Sequence, residues 1–352
     1  MKEILPGIYE VEQEKSNGEC GVTQMKVFII PGRPGERSLM IDSGFKTAEC
    51  LQRLEEAVEA LGLRMQDMDV FLTHRHHDHS GLCGMLAKQG AAIYMNPEEE
   101  RHPYDCLAYK VTAESLEAQK KVMQSVGVTY QCAPEVYAFF RKIAERVMAH
   151  GDWVLAGEAF PYRKMQVGQH FDYGVYHFEA LALRGHTYGQ LGLIDEEKKL
   201  LFSADQLING LSPIVATTYP DEGLLDGFFK SLEWIKHHCG EDWRVFPAHG
   251  EKIVDVRSAV DKTVFSYLTK LSKARSVLRA AAEDSNTAHG ELTCRHVSEL
   301  VYGIQDYPRN EAEFFMYKMT LTKTYTLLEY LHDEGFLNRR EQDGIFFWSL
   351  KE

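Results

Sequence analysis

The residues of this chain best suited to chemistry lie in the stretch THRHHDHSG, residues 73–81. It follows the apolar run Val70, Phe71, Leu72 and precedes a helix-like segment, so His74, His76, Asp78 and His79 share one short turn between a strand and a helix. His74 and His76, separated by one residue, can both point off the strand tip, while Asp78 and His79 reach a second position beside the first. Such an arrangement suits two divalent metal ions about 3.5–4 Å apart. Imidazole and carboxylate are donors for Zn, Fe or Mn. A His-rich turn by itself also reads as a solvated loop. Three further stretches shift the balance: RGHTYGQ places His186 after the strand-like VYHFEALAL, SADQ places Asp205 after KKLLF, and FPAHG places His249 after WRVF. Each candidate donor ends a probable strand beside a small residue, which is how separate strands bring their tips to one site.

HxHxDH followed by GHT, an Asp after a strand and a final His-Gly resembles the metallo-β-lactamase fold superfamily, and is most similar to its glyoxalase II-like branch. The resemblance implies one metal held by His74, His76 and His186, a second held by Asp78, His79 and His249, and Asp205 bridging the two. The β-lactamases of that superfamily commonly carry Cys near the bridging position. Asp205 stands there in this chain, which argues against antibiotic hydrolysis.

The elements that must position these residues are legible in outline. GIYEVEQ, MKVFII and SLMIDSG are short apolar or alternating runs punctuated by Pro31, Gly32, Pro34 and Gly35, an opening antiparallel meander. Leu51, Leu54, Val58 and Leu61 then recur at helical spacing up to Gly62. Asp42 either caps its turn or orients a ligand histidine. GLCGMLAKQG reads as a short helix and AAIYMN as a strand. Residues 97–160 break the rhythm with two or three inserted helices, rich in aromatics: Tyr104, Tyr109, Tyr130, Tyr137, Phe139, Phe140 and Trp153. An insertion of this size beside a metal site is expected to be a lid or a dimer element, most of its aromatics serving helix packing and a few walling the substrate pocket. Residues 174–206 read as consecutive strands turning at DEEKK, and Leu225, Phe228, Phe229, Leu232 and Ile235 mark a helix before WRVFPAHG. Two strand-rich halves flanked by helices suggest an α/β fold of two facing sheets. The resemblance implies the same, an αββα sandwich.

Residues 1–256 therefore read as the catalytic domain and 257–352 as a second, smaller one. Helices are expected over 258–283, in ELTCRHVSELVYG and over 311–333, followed by a hairpin turning at Gln342, Asp343 and Gly344. This pattern resembles the winged-helix domain at the C-terminus of the subgroup that includes the β-lactamase-like protein 2 family. Acidic and basic residues nearly balance in it, so packing is expected rather than nucleic-acid contact.

Bulk properties narrow the class. The net charge is −13, which disfavours nonspecific binding to phosphate backbones, and 44% apolar residues over 352 positions supply a sizeable core. The 7 cysteines are scattered without a CxxC, the N-terminus lacks a signal-peptide core, and no apolar run reaches transmembrane length, so a reduced cytoplasmic protein with no membrane contact is expected. No HExxH, nucleophile elbow or P-loop supports protease, serine-esterase or NTPase chemistry.

The expected activity is that of a binuclear metal-dependent hydrolase whose metal-bridging hydroxide attacks the carbonyl of a small thioester, ester or lactone. The alternative is a metal-dependent phosphodiesterase or endoribonuclease. A redox enzyme lacks any flavin- or haem-binding segment to support it. Two divalent ions are implied, Zn by default with Fe or Mn as substitutes, and the apolar surface of the insertion and C-terminal region would serve a homodimer. Asp78 would also orient the hydroxide, and Tyr188 has two readings, a proton or hydrogen-bond donor to the substrate or a packed loop residue. Arg184 meets an anionic substrate or a surface carboxylate. His77 is expected to turn away from the metals, Cys83 to be a small buried helix residue, and His102, His150, His170, His237, His238, His289 and His296 have no spacing that recommends them.

Overall fold

A computed structural model describes residues 1–15, 23–101, 112–150, 159–216, 219–285 and 288–351. The N-terminal part forms the antiparallel strands β1 (Lys2–Leu5), β2 (Ile8–Glu14), β3 (Gln24–Ile30) and β4 (Ser38–Ile41). Helix α1 (Ala48–Ala60) then carries the chain across to β5 (Met68–Leu72), which runs parallel to β4. Thr47 caps α1 by accepting the Cys50 N–H, and Leu54, Ala57 and Val58 turn inward at helical spacing. Strand β5 is buried along its whole length, as a central parallel strand covered on both faces should be. The one-turn helix α2 (His77–Ser80) and α3 (Cys83–Lys88) lead to β6 (Ala92–Met95), and β7 (Arg163–Lys164) completes a seven-stranded sheet in chain order.

Between β6 and β7 lies the insertion, whose described helices are α4 (Ala113–Ser125) and α5 (Pro134–His150). The second sheet has five strands in the order β12-β11-β10-β9-β8, with β8 (His170–Tyr173), β9 (Tyr176–Ala182), β10 (Leu191–Asp195), β11 (Leu200–Ala204) and β12 (Arg244–Pro247). Helix α6 (Leu224–His238) crosses between β11 and β12, which run parallel. The sheets face each other through an aromatic layer in which Phe28 meets Phe202 at 4.8 Å and Phe71 meets Phe171 at 5.9 Å between ring centroids. Each such ring taken from water contributes roughly 1.5–3 kcal/mol. Helices α1 and α3 cover the outer face of the first sheet, and α6 covers that of the second. The αββα sandwich expected from the sequence is the architecture found.

The C-terminal region comprises α7 (Val256–Glu283), β13 (Leu292–Thr293), α8 (Cys294–Tyr302), α9 (Glu311–Asp333), β14 (Leu337–Gln342) and β15 (Ile345–Leu350), with a three-stranded sheet ordered β13-β15-β14. The hairpin turns at Asp343 and Gly344, both with positive φ (51° and 74°), the conformation a two-residue turn of this twist requires. One buried apolar cluster runs from α6 through α7, α8, α9 and Trp348 and takes in Leu116, Met123, Val136 and Phe140 of the insertion, so the core is continuous across residue 256.

The insertion was expected to be a lid or dimer element. Its described helices pack against the C-terminal region. Phe139 and Phe140 pack on Phe314 of α9 at 5.7 and 6.2 Å, Arg146 pairs with Glu311 at 2.7 Å, and the Arg295 N–H donates to the Val126 carbonyl at 2.8 Å. Tyr104, Tyr109, Trp153, His102, Cys20 and Cys106 lie outside the described residues, as does the side chain of His150. Among the described residues, Cys50, Cys83, Cys132, Cys239 and Cys294 are free thiols, and no helix is long and apolar enough to cross a membrane.

Candidate metal centre

Strand β5 ends at Leu72, and the next residues turn sharply because Asp42, at the end of β4, holds them. Asp42 has φ 61°, a left-handed conformation that Asp tolerates better than most residues. Its buried carboxylate accepts the Thr73 N–H at 2.8 Å and the Thr73 hydroxyl at 2.9 Å, and it meets His79 Nδ1 at 2.7 Å. Of the two readings the sequence allows for Asp42, contact with a candidate histidine is therefore the one realised. The other loops come from the second sheet: His186 follows β9, Asp205 follows β11 and His249 follows β12.

The seven candidate donors converge. His76 Nδ1 lies 3.0 Å from His74 Nε2 and 2.9 Å from His186 Nε2, which makes a first trio. His249 Nε2 lies 3.3 Å from His79 Nε2 and 3.4 Å from Asp78 Oδ2, which makes a second. Asp205 stands between them, with Oδ2 3.4 Å from His186 Nε2 and Oδ1 3.5 and 3.3 Å from the Nε2 atoms of His79 and His249. The outer imidazole nitrogens are held from behind. His186 Nδ1 donates to the Ile214 carbonyl at 2.6 Å and His249 Nδ1 to the Gln24 carbonyl at 2.7 Å, which leaves each Nε2 free to act as a lone-pair donor.

The electrostatics suit a cation. Burial, reinforced by neighbouring imidazoles, drives the pKa of His74 well below its usual value and that of His76 down to about 3, and burial lowers that of His186 too. The first trio is thus a set of neutral nitrogen donors. In the second, burial opposes protonation of His79 and His249, yet the carboxylates of Asp42, Asp205 and Asp78 raise His79 well above its usual value, and Asp205 with Asp78 raises His249 to about 10. Burial likewise opposes ionisation of Asp78 and Asp205, but the imidazoles around them hold both well below the usual carboxylate range. These carboxylates thus call for positive charge between them. Asp205 Oδ1 is buried and makes no well-aligned hydrogen bond, only the long approaches of the His79 and His249 Nε2 atoms at 3.5 and 3.3 Å, which leaves it open to a cation. Donor types and spacing fit divalent metal ions.

The remaining candidates are placed elsewhere. His77 joins neither trio, its ring packing 6.5 Å from Phe45. Cys83 is buried, its thiol pushed up to about 12 by burial. Tyr188 joins neither trio and lies between two guanidiniums, Arg101 at 3.2 Å and Arg184 at 4.8 Å from its ring centroid. His238 stacks on Trp234 at 4.3 Å, and His296 contacts Arg295 at 2.7 Å. The sequence reading missed Asn96 and Glu99, because the acidic turn Pro97–Glu100 reads as a solvated surface. It also missed the carbonyls of Gln24 and Ile214, which no side-chain pattern reveals.

Residues 27–236 match the Metallo-beta-lactamase superfamily, so the chain belongs to that superfamily and is a hydrolase of it. The match includes His74 through Asp205 and ends before His249. The chain is 22% identical over 325 residues to the probable metallo-hydrolase YqjP of Bacillus subtilis, covering 90% of this chain and 92% of the relative. It is 28% identical over 216 residues to the hydroxyacylglutathione hydrolase GloC of Haemophilus influenzae, covering 61% and 81%. A solved metallo-beta-lactamase family protein of Thermus thermophilus has the same fold, with TM-score 0.75 at 20% identity over 99% of this chain and 100% of the other. So does a beta-lactamase domain protein of Burkholderia ambifaria, with TM-score 0.76 at 17% identity over 99% and 94%.

Proposed function

We propose that this protein is a binuclear metal-dependent hydrolase that attacks the carbonyl carbon of a small thioester, ester or lactone, with thioesters of the glyoxalase II type as the first substrate class to try. The observation that carries the reading is the placement of Asp205, one carboxylate oxygen facing each trio. The identity to a hydroxyacylglutathione hydrolase supports the thioester class. Zn is the expected occupant, Fe or Mn the substitutes. Two divalent cations held there supply Lewis acidity and a water acidic enough to serve as nucleophile near neutral pH.

The chain's own residues do the rest. His74, His76 and His186 would hold one ion as neutral donors, Asp78, His79 and His249 would hold the other, and Asp205, which faces both trios, would serve each. Asp42, through His79, sets the orientation of the second set. His74, His79 and Asp78 are buried, which excludes bulk water and strengthens each electrostatic contact. Tyr188, stacked on Arg101 and Arg184, is the candidate to hydrogen-bond the substrate. We read residues 257–352 as a winged-helix unit, the order α7, β13, α8, α9 and hairpin supporting it, that packs against the catalytic domain of residues 1–256.

The test is hydrolysis of acyl thioesters, lactones and aryl esters beside a fluorogenic single-stranded RNA, with metal-replete protein and with Asp78→Ala and His186→Ala. Carbonyl turnover that both substitutions abolish, with RNA left intact, is the expected outcome. RNA cleavage that both abolish would replace this reading with the phosphodiesterase one.

A further inference from the structure

The first trio is assembled from two loops on different sheets: His74 and His76 follow β5, whereas His186 follows β9. Something must hold these loops in register, and the residues between β6 and the insertion are built to do so. Asn96 caps the turn Pro97–Glu100 by accepting the Glu98 N–H and donates its own amide to the Gly189 carbonyl at 2.7 Å. The Glu99 carboxylate is buried, 6% exposed, and reaches both loops. Oε2 accepts the Arg75 N–H at 2.8 Å, from the residue between His74 and His76. Oε1 accepts the Thr187 hydroxyl at 2.5 Å and the Gly189 N–H at 2.9 Å, from the residues directly after His186. A second observation points the same way. A Cβ at Gly189 would stand 2.7 Å from the Glu99 backbone nitrogen and 2.8 Å from Oε1, so only glycine lets the loop come this close.

We propose that Glu99 is a positioning residue for the first trio: its carboxylate ties the loop of His74 and His76 to the loop of His186 and thereby sets the separation at which these imidazoles meet. The inference rests on the metal-site reading above and concerns what holds that site in shape. A carboxylate is the group that fits, because three donors converge on its two oxygens. An amide would keep one acceptor and turn an NH2 toward a donor, and an aspartate would be one methylene too short to touch both loops. Glu99, between the exposed Glu98 and the part-buried Glu100, is thus tied to the site by what it accepts.

The test is stepwise titration of the apoprotein with Co(II) and Zn(II) against a chromophoric chelator, following the Co(II) absorption bands, for the natural protein, Glu99→Gln, Thr187→Val and His186→Ala. His186→Ala identifies the step that belongs to the first trio. Glu99→Gln is expected to weaken that step about 10–100-fold and change its Co(II) bands, with the other step within about twofold of its original value. Thr187→Val, which removes one of the three donors, moves the same step in the same direction by less. Melting in chelator accompanies each titration, and Thr187→Val carries the test if Glu99→Gln does not fold. Both variants titrating like the natural protein, or weakening both steps equally, would overturn the proposal while leaving the metal site standing. A natural protein that binds no divalent ion would remove the site and the proposal together.

Discussion

Replacing Asp42 separates what it does for the fold from what it does for the site. Its carboxylate is 1% exposed and serves Thr73 and His79, so Asp42→Ala strands the Thr73 N–H and the His79 Nδ1–H in the interior. Each stranded donor costs about 1–3 kcal/mol, and an alanine at φ 61° adds roughly 1 kcal/mol or more of backbone strain. The sum is a large share of the 5–15 kcal/mol by which a typical domain is stable, so an alanine variant reports mainly on folding. Asp42→Asn is the cleaner perturbation, because asparagine tolerates the same backbone conformation. With its oxygen toward Thr73, the amide NH2 faces His79 Nδ1 and favours the tautomer with the proton on Nε2, the atom aimed at Asp78, His249 and Asp205. With the amide reversed, the NH2 faces the Thr73 N–H instead. In the first orientation the proton on Nε2 blocks the atom that would bind a metal, in the second one donor meets another at about 1–3 kcal/mol, and in either case occupancy of the second trio falls about 10–100-fold. Zn(II) competition titration together with melting in chelator measures the two effects separately. An Asp42→Asn protein that binds both ions as tightly as the natural one would refute the argument that Asp42 sets the His79 tautomer.

Two further outcomes follow from residues outside the trios. Burial, assisted by Asp333, Asp221 and Glu222 and opposed by the Asp221 N–H, raises Glu329 from 4.5 to about 7. Because the folded state then binds the proton more tightly, the stabilisation is fully present below about pH 4.5 and lost as pH rises through about 7. Glu329→Gln should gain on the natural protein by about 3 kcal/mol across that window in denaturant unfolding, and a constant difference would show that Glu329 titrates normally. His77→Ala, which removes the one motif histidine outside both trios, should leave metal content by elemental analysis unchanged.

The site was legible because its donors sit where local sequence decides position. His74, His186, Asp205 and His249 each follow an apolar run that ends in a small or turn-forming residue, and the end of a strand is a local property. The reverse holds for what supports them. The carbonyls of Ile214 and Gln24 carry no side-chain signature, and His186 is 28 residues from the first while His249 is 225 from the second. Strands β1 and β8 are short and partly exposed, so their patterns do not rise above the surrounding loops.

The insertion is where local reading and long-range packing part company. Most of its aromatics were expected to serve helix packing, and among the described ones Phe139 and Phe140 do so while Tyr130 is exposed, but nothing local says which partner they find. Phe139 and Phe140 find theirs on Phe314, which the chain reaches only after both sheets are complete. That choice has a structural consequence. The insertion leaves the first sheet through the turn in which Glu99 holds the loops of His76 and His186, and its helices end against α9 and β15. The same segment therefore touches the metal site at its root and the C-terminal region along its body. Arg101 extends the contact by stacking on Tyr188 and pairing with Glu222. A C-terminal region attached in this way is part of what keeps the insertion in place. Its loss would expose Phe139, Phe140 and Met123 together, so the described helices of the insertion depend on the C-terminal region for their apolar cover.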